Sequence, residues 1–192
     1  KNKMIVEESI DIFHGNPNID EIILVCHENW IEKINGILNN ICTIVPGGKT
    51  RTESSLKGLL SCNHSTAKVL IHDAARPYIS QKLINNCLAH LDNYDASIPI
   101  VNCADSLVNT DDSQIKYLDR NSIKLIQTPQ GFNYKKILNA LENNSNNYSD
   151  DFSALLEYDK SLNYILFDGD KKNFKITTDD DLDLALKISN AI

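Results

Sequence analysis

The sequence lacks long hydrophobic segments. None of its apolar runs approaches the roughly 18 residues that a membrane-spanning helix needs, and no charged-then-apolar leader opens it. A membrane span and a signal peptide are therefore not expected. Long linkers and internal repeats are missing as well. With 192 residues, of which 42% are hydrophobic and 23% charged, the composition is that of one globular domain with a sizeable core.

Cysteine pairs and an excess of positive charge are also lacking. The five cysteines form no C-x-x-C pair and are dispersed along the chain, at Cys26, Cys42, Cys62, Cys87 and Cys103. This pattern argues against a disulfide framework or a zinc site and favours small buried hydrophobes in a reducing cytoplasm. The net charge of −7 argues against a nucleic-acid partner, which needs a basic face. Basic residues that cluster despite this acidity would mark a small anionic ligand.

What the sequence does contain is an alternation of short apolar runs with helical periods. Strands are predicted at 21–27, 42–48, 67–73, 123–127, 163–169 and 173–178. Residues 96–108 are predicted to be extended, and two short strands are predicted within 106–118. Helices are predicted around 4–13, 30–38, 51–60, 81–91, 134–144, 150–158 and 179–191. The alternation predicts an α/β fold, with a mostly parallel sheet and helices on both faces. Because proline cannot donate to a ladder, Pro99 predicts an edge strand or a bulge. Ligands of such sheets bind at the carboxyl ends of the strands.

The first strand end that carries candidate functional residues is "PGGKTRTESSLKGL". Thr50-x-x-Glu53 is a capping box, so a helix is expected to begin near Arg51. Gly47 and Gly48 let the backbone approach a ligand closely, because no side chain intervenes. A helix amino end beside Arg51 favours an anion or the polar edge of a base. The alternative is a plain strand-turn-helix with a good cap.

The second is "LIHDAARP", in which Asp73 directly follows a buried strand. Its carboxylate is suited to a divalent cation or a ribose hydroxyl. Ala74 and Ala75 leave room for a ligand. We expect His72 to support the turn by hydrogen bonding, and Arg76 has the alternative of a structural ion pair.

Two further strand ends carry basic and hydroxyl groups. In "DRNSIKLIQTPQGF", Arg120 precedes a strand and Thr128 follows it, where its hydroxyl can donate to a phosphate; a weak surface salt bridge is the alternative for Arg120. In "NFKITTDDDLDLAL", Lys175 points away from the apolar face and Thr178 caps the last helix. A functional role for Lys175 requires it to face the same crevice as Asp73.

Five segments together resemble a known family. They are "GGKTRTES", "HDAARP", "DRNSIKLIQTPQGF", "SDDFSALLEY" and "NFKITTDDDL". In this order they resemble the 2-C-methyl-D-erythritol 4-phosphate cytidylyltransferases of the non-mevalonate isoprenoid pathway, essentially from end to end. The resemblance implies a Rossmann-like nucleotidyltransferase in a single domain, residues 1–192, with a protruding β-hairpin arm. It also implies a reaction of CTP with a sugar-alcohol phosphate that gives a CDP-alcohol and pyrophosphate, without a covalent enzyme intermediate.

The resemblance assigns roles to individual residues. It implies nucleotide contacts for Gly48, Arg51, Ser54, Asp73 and Ala74, with Asp73 beside phosphate-bound Mg²⁺. It implies contacts with the acceptor phosphate for Ser106, Arg120, Thr128, Ser149 and Lys175. Asp73, Arg120 and Lys175 would be the catalytic residues. Ser106 and Ser149 stand where the family usually has threonine, and either hydroxyl can donate to phosphate. An arm at about 103–122 would reach into a homodimer partner, so that Arg120 acts in trans.

One element of the family pattern is not found in these residues. The family opens with a strand, a glycine-rich loop carrying an arginine, and then a lysine, whereas Lys1–Met4 resembles the helix after that loop. The first strand of a doubly wound sheet is usually central, so its loss would leave unpaired edges inside the sheet. We therefore expect these residues to be part of a longer polypeptide and, as they stand, to have little activity.

Two other functions compete with this interpretation. The alditol-phosphate cytidylyltransferases of wall teichoic acid synthesis share the fold and most of the motifs, and they use ribitol phosphate as acceptor. A nucleotide-binding fragment without catalysis is the second alternative. Asp73, Arg120, Thr128 and Lys175 argue against it, because binding alone does not require them all.

Overall fold

The computed structural model describes residues 3–38, 40–110, 114–143, 146 and 148–190. Its helices are α1 (Ile5–His14), α2 (Glu28–Leu38), α3 (Arg51–Leu60), α4 (Gln81–His90), α5 (Tyr134–Glu142), α6 (Asp151–Tyr158) and α7 (Asp179–Asn190). Its strands are β1 (Ile23–Cys26), β2 (Thr43–Pro46), β3 (Lys68–Ile71), β4 (Ala96–Asn102), β5 (Leu107–Asn109), β6 (Lys116–Leu118), β7 (Lys124–Ile126), β8 (Gln130–Asn133) and β9 (Tyr164–Asp168). The predicted alternation of strands and helices is confirmed over most of the chain.

The main sheet is mixed, so the prediction of a mostly parallel sheet was wrong. Its order is β3-β8-β4-β7, and β9 pairs with β4. Only the β1–β2 and β4–β9 pairs are parallel among the described strands, while β8 runs antiparallel to both β3 and β4. The sheet is mixed because of β8, a strand that the sequence pattern did not separate from the turn before it. The cis peptide between Thr128 and Pro129 separates β7 from β8.

Pro99 lies in a central strand rather than at an edge. On one side, β4 pairs with β9 from Ala96 to Ile100. On the other side its partner changes, from β8 at Ala96 and Ser97 to β7 at Ile100–Asn102. Pro99 falls in the interval between these two partners, where its missing N–H interrupts no ladder. The expected irregularity at Pro99 is therefore a change of partner.

Two other segments test the strand predictions. The short strands predicted within 106–118 are confirmed as the β5–β6 hairpin, in which Leu107 pairs with Leu118; residues 111–113 of the expected turn lie outside the described residues. The strand predicted at 173–178 was wrong. That segment is irregular, although Ile176 donates from its backbone N–H to the Ala75 carbonyl at 2.9 Å.

The described core residues form three clusters, of which the smallest, around Ile79, Leu83 and Ile84, joins α1 and α4 to β3 and β9. The largest contains Ile98 and Phe132 from the sheet and packs them against α3, α5 and α6. A second, smaller cluster joins α1 and α2 to β1 through Ile10, Leu24 and Ile34. The β1–β2 unit therefore has its own apolar core.

A cavity of about 860 Å³ separates these two parts of the protein. β1 and β3 lie on its sides, and residues of α1 and α3 line it as well. Among the described strands, β1 pairs with β2 alone and β3 with β8 alone, so each has one edge that faces no strand.

The composition predicts neither a membrane span nor a disulfide framework. No helix in the described part of the chain combines the length and apolarity required to span a bilayer. All five cysteines have free thiols, and Cys87 is fully buried.

Hydrogen bonds at the start of α7 predict a low pKa for the carboxyl group of Asp181. Asp181 accepts hydrogen bonds at 2.9 Å from the backbone N–H and hydroxyl of Thr177 and from the backbone N–H of Thr178. These bonds favour the charged form and lower the pKa of Asp181 from 3.8 to about 2. Since the folded pKa is depressed, the stabilisation of the helix start is complete above 3.8 and is lost as the pH falls through about 2.

Carboxyl ¹³C NMR titration checks this expectation. The Asp181 resonance should titrate near pH 2. Thr177→Val, which removes the hydroxyl donor but keeps the side-chain shape, should move the midpoint upward. A wild-type midpoint at the ordinary aspartate value would contradict the bonding described here.

Candidate functional site

An ion cluster lies where β3 ends. The Asp73 carboxylate is 3.2 Å from Arg76 Nε and 3.4 Å from Lys175 Nζ, both measured to Oδ2. Burial alone would raise the pKa of Asp73, but the charges of Lys175 and Arg76 outweigh it and hold that pKa below its ordinary value. Asp73 is therefore a carboxylate at neutral pH. The requirement that Lys175 face the same crevice as Asp73 is met.

Thr128 ties this cluster to the turn between β7 and β8. Its Oγ1 accepts a hydrogen bond from the Asp73 backbone N–H at 3.0 Å. Its carbonyl accepts one from Asn173 Nδ2 at 2.7 Å, and the Asn173 carbonyl accepts one from Arg76 Nη1 at 2.9 Å. Asn173 is fully buried and Gln127 also donates to its carbonyl. Sequence reasoning missed both amides, because no local pattern marks contacts that span more than 40 residues.

His72 lies directly behind Asp73. Its Nε2 is 3.1 Å from the Arg76 carbonyl, and its Nδ1 is 3.1 Å from Thr128 Oγ1. Loss of hydration, the largest effect, lowers the pKa of His72 to about 4. The expectation that His72 supports the turn by hydrogen bonding is confirmed, and the ring is neutral at physiological pH.

The glycine loop is shaped by the first turn of α3. The Ser54 hydroxyl donates to the Thr50 carbonyl at 2.9 Å and accepts from the Gly48 N–H at 3.0 Å. Thr50 caps the helix as predicted, but the Glu53 carboxylate accepts from the Lys49 N–H at 2.6 Å rather than from that of Thr50. A Cβ at Gly48 would collide with Glu53, so this turn needs glycine at that position.

Arg51 joins this loop to the amino end of α6. Its Nη2 is 2.5 Å from Asp151 Oδ2, and the Asp151 side chain is only 1% exposed. Burial would lower the pKa of Arg51, but the hydrogen bond and charge of Asp151 raise it above its ordinary value. Arg51 Nη1 and Asp151 Oδ1 are buried and have no hydrogen-bond partner among the described residues. Asp151 was not among the predicted site residues, since its partner is 100 positions away.

Four of the five residues predicted to contact the nucleotide line the cavity, whereas Gly48 and the five acceptor-side residues are not among its lining residues, although Thr128 and Lys175 contact Asp73. Arg51, Ser54, Asp73 and Ala74 line one end of the 860 Å³ cavity together with His72. Ser149 is exposed, one residue before the α6 cap at Asp150. Ser106 and Arg120 are exposed on the hairpin arm, where Arg120 Nη1 donates to the Ala104 carbonyl at 3.1 Å.

The Asp73 carboxylate has one oxygen that forms no ion pair with any residue that the structure describes. Both of its ion pairs are formed by Oδ2, which leaves Oδ1 for a metal ion. Mg²⁺ is commonly held by one or two carboxylates together with substrate phosphates, so a single aspartate fits this chemistry. Within the described residues, no group of three or more His, Cys, Asp and Glu side chains is placed to hold a metal.

Comparison with known proteins places the geometry in a family context. The family model described as IspD, 2-C-methyl-D-erythritol 4-phosphate cytidylyltransferase, matches residues 1–190. A protein with that enzyme name from Clostridium botulinum (strain 657 / Type Ba4) is 36% identical over 198 residues, covering 98% of this chain and 86% of that protein. The bifunctional enzyme IspD/IspF of Pelagibacter ubique (strain HTCC1062) is 38% identical over 186 residues, covering 95% of this chain. The chain spans 49% of the length of that bifunctional relative.

Solved structures show the same fold. The crystal structure of 4-diphosphocytidyl-2C-methyl-D-erythritol synthase from Anaerococcus prevotii DSM 20548 matches with a TM-score of 0.90 and 28% identity, covering 98% of this chain and 86% of that one. The bifunctional IspDF from Campylobacter jejuni matches with a TM-score of 0.82 and 25% identity, covering 95% of this chain and 46% of that one.

The Arg51–Asp151 pair predicts a clear stability effect. Asp151→Ala leaves the Arg51 guanidinium, whose side chain is 33% exposed, without its partner and should lower the free energy of unfolding by about 1–3 kcal/mol. The matched control is the exposed Lys68–Asp92 pair, in which Asp92→Ala should cost about 0.2–1 kcal/mol. Urea denaturation followed by circular dichroism measures both. Equal losses in the two variants would contradict the assigned burial.

Proposed function

The chain belongs to the 2-C-methyl-D-erythritol 4-phosphate cytidylyltransferase family, and we propose that it joins CTP to 2-C-methyl-D-erythritol 4-phosphate in isoprenoid precursor biosynthesis. The products are the CDP-alcohol and pyrophosphate. The observation that carries the proposal is the cluster of Asp73, Arg76 and Lys175 at the carboxyl end of β3, beside the cavity. In an acidic protein, such a concentration of cations favours a phosphate ligand.

The proposed chemistry is an in-line transfer. An oxygen of the acceptor phosphate attacks the α-phosphorus of CTP, and the bond from that phosphorus to the β-phosphate oxygen breaks. Pyrophosphate leaves with the electron pair of that bond. The protein needs no covalent intermediate for this step, because the rate depends on positioning the two phosphates and neutralising their charge.

The glycine loop and its supports form the nucleotide side of the proposed site. Gly48 offers backbone atoms to the cytosine, and the Ser54 hydroxyl holds the loop in shape. Arg51 contributes positive charge and the unpartnered Nη1. Asp73 and the small, exposed Ala74 form the ribose side.

Lys175 is the proposed anchor of the acceptor phosphate in this chain. Its ammonium lies 3.4 Å from Asp73, so it can exchange part of that ion pair for a phosphate oxygen. Thr128 lies beside Asp73, and the exposed Ser149 is assigned to the same end of the site. Ser106 and Arg120 join it from the arm of a partner subunit.

Mg²⁺ is the proposed cofactor, with Asp73 as its protein ligand. The ion would neutralise negative charge on the triphosphate. Lys175 and Arg76 keep Asp73 ionised and fix the position of its carboxylate. The five free thiols support the further proposal that the enzyme works in a reducing cytoplasm.

Pyrophosphate release from CTP and methylerythritol phosphate tests the function. Asp73→Asn and Lys175→Met should each lower kcat by about 10²- to 10³-fold, because each removes a charge that stabilises the transition state. The exposed variant Asp92→Asn is the matched control and should keep wild-type kinetics. Ribitol phosphate in place of methylerythritol phosphate should give no comparable turnover. Faster turnover of ribitol phosphate would contradict the proposed acceptor, and nucleotide binding without turnover would contradict the proposed activity.

We further propose a homodimer in which the β5–β6 arm contacts the partner. The arm exposes apolar side chains that solvent does not favour, with Ile115 72% and Tyr117 76% accessible. Arg120 is held at the base of this arm by the Ala104 carbonyl. A partner subunit would cover the apolar residues and receive the Arg120 guanidinium at its own Asp73 cluster.

Mixing two inactive variants tests the dimer and the origin of Arg120 together. Arg120→Ala and Asp73→Asn subunits, each inactive alone, should regain activity when they are unfolded together and refolded as a mixture. A mixed dimer then contains one site with both native residues. If the mixture stays inactive while light scattering shows dimers, Arg120 does not act in trans.

A further inference from the structure

We propose that His72 is a positioning residue that holds Asp73 through the hydroxyl of Thr128. This inference rests on the proposed function for its catalytic consequence, but the arrangement itself is a matter of hydrogen-bond geometry. His72 does not reach the ion cluster directly; its ring lies at the cavity end of β3 and packs against Phe13, with ring centroids 5.0 Å apart. Its two ring nitrogens are nevertheless both engaged.

The carbonyl of Arg76 determines the tautomer of the His72 ring. A carbonyl can only accept, so His72 Nε2, 3.1 Å away, must carry the proton. A neutral imidazole has a single N–H, which leaves Nδ1 as an acceptor. The group 3.1 Å from Nδ1 is Thr128 Oγ1, and its hydroxyl proton therefore points at His72.

The Thr128 hydroxyl is also hydrogen-bonded to the Asp73 backbone. Its oxygen accepts the Asp73 N–H at 3.0 Å, so Thr128 is both donor and acceptor in one chain of bonds. The chain runs from the Asp73 amide to Thr128, from Thr128 to His72, and from His72 to the Arg76 carbonyl. Arg76 in turn donates from Nε to the Asp73 carboxylate at 3.2 Å. The ring of contacts thus closes on Asp73 at both its amide and its side chain.

Two consequences distinguish this arrangement from simple packing. The one proton of Thr128 is committed to His72, so in this state Thr128 has no proton left for an acceptor phosphate. Thr128 then acts on the reaction through the position of Asp73. Removal of the Thr128 hydroxyl and removal of its His72 acceptor should impair the same kinetic step.

Matched pairs of variants separate the individual bonds. Thr128→Ser keeps the hydroxyl and Thr128→Val removes it. His72→Asn retains an oxygen near the position of Nδ1, whereas His72→Gln retains only a donor near that of Nε2. We expect Thr128→Ser and His72→Asn to keep most of the activity. Thr128→Val and His72→Gln should lose about 10- to 100-fold in kcat/KM for Mg²⁺-bound CTP, as a small displacement of a reactive group does.

The Michaelis constants and a double variant decide between positioning and direct contact. Under the proposal, the KM for methylerythritol phosphate changes little in Thr128→Val, and Thr128→Val/His72→Gln is no worse than either single variant, because all three break one chain of bonds. A raised acceptor KM in Thr128→Val alone, or losses that multiply in the double variant, would overturn it. Melting temperatures equal to that of the wild-type protein would show that the variants have not lost their structure in general.

NMR tests the arrangement without relying on turnover. Long-range ¹H–¹⁵N spectra of the wild-type protein should show His72 protonated at Nε2 only. Thr128→Val should shift both the His72 Nδ1 and the Asp73 amide resonances, and Thr128→Ser should shift neither strongly. A proton on Nδ1 would refute the inference even in an active enzyme. If the wild-type protein shows the expected tautomer but no turnover, the proposed function fails and the hydrogen-bond chain stands.

Discussion

The residue on which the site depends most is Thr128, because it bonds to two other segments of the chain at once. Its hydroxyl accepts the Asp73 amide at the end of β3, and its carbonyl accepts Asn173 from the irregular segment before α7. These segments lie 55 and 45 positions away from it. The turn between β7 and β8 is therefore the point at which Asp73 and Lys175 are brought together. The mixed sheet serves the site directly, since β8 occupies the place between β3 and β4 that this turn leads into.

Charge in this protein is distributed unevenly. The chain carries a net charge of −7, yet Arg76 and Lys175 surround one carboxylate at a strand end, and Arg51 lines the same cavity. Two of the cations are paired with Asp73, and the third is paired with buried Asp151. Pairing lowers the cost of holding these cations together in the absence of an anion. Under the proposed function, an arriving phosphate would compete for charges that are already in position, which is the preorganisation that phosphoryl transfer requires.

Sequence reasoning located the parts of the site that are marked locally. Asp73 ends an apolar run, and Arg51 follows a recognisable cap, so both could be found from short windows of sequence. The alternation at 173–178 indicated correctly that Lys175 points away from its apolar neighbours, but it predicted a strand that does not exist. Phe174 takes up its apolar position by stacking on Tyr78, with ring centroids 5.5 Å apart, and not by joining a sheet. Sequence reasoning did not find Asp151, because its role depends on a hydrogen bond from Arg51, which is 100 residues away.

The cavity between β1 and β3 lies between the β1–β2 unit and the main sheet. The β1–β2 unit has its own apolar cluster, and no described strand pairing crosses from it to the main sheet. α3 joins the two parts, because its Leu59 packs in the cluster of the main sheet while the helix also contacts β1. Arg51 and Asp73 line the same end of the cavity, from the start of α3 and from the end of β3. A ligand that bridges them would hold the start of α3 against the main sheet, and part of its binding free energy would be spent on restricting motion at that junction.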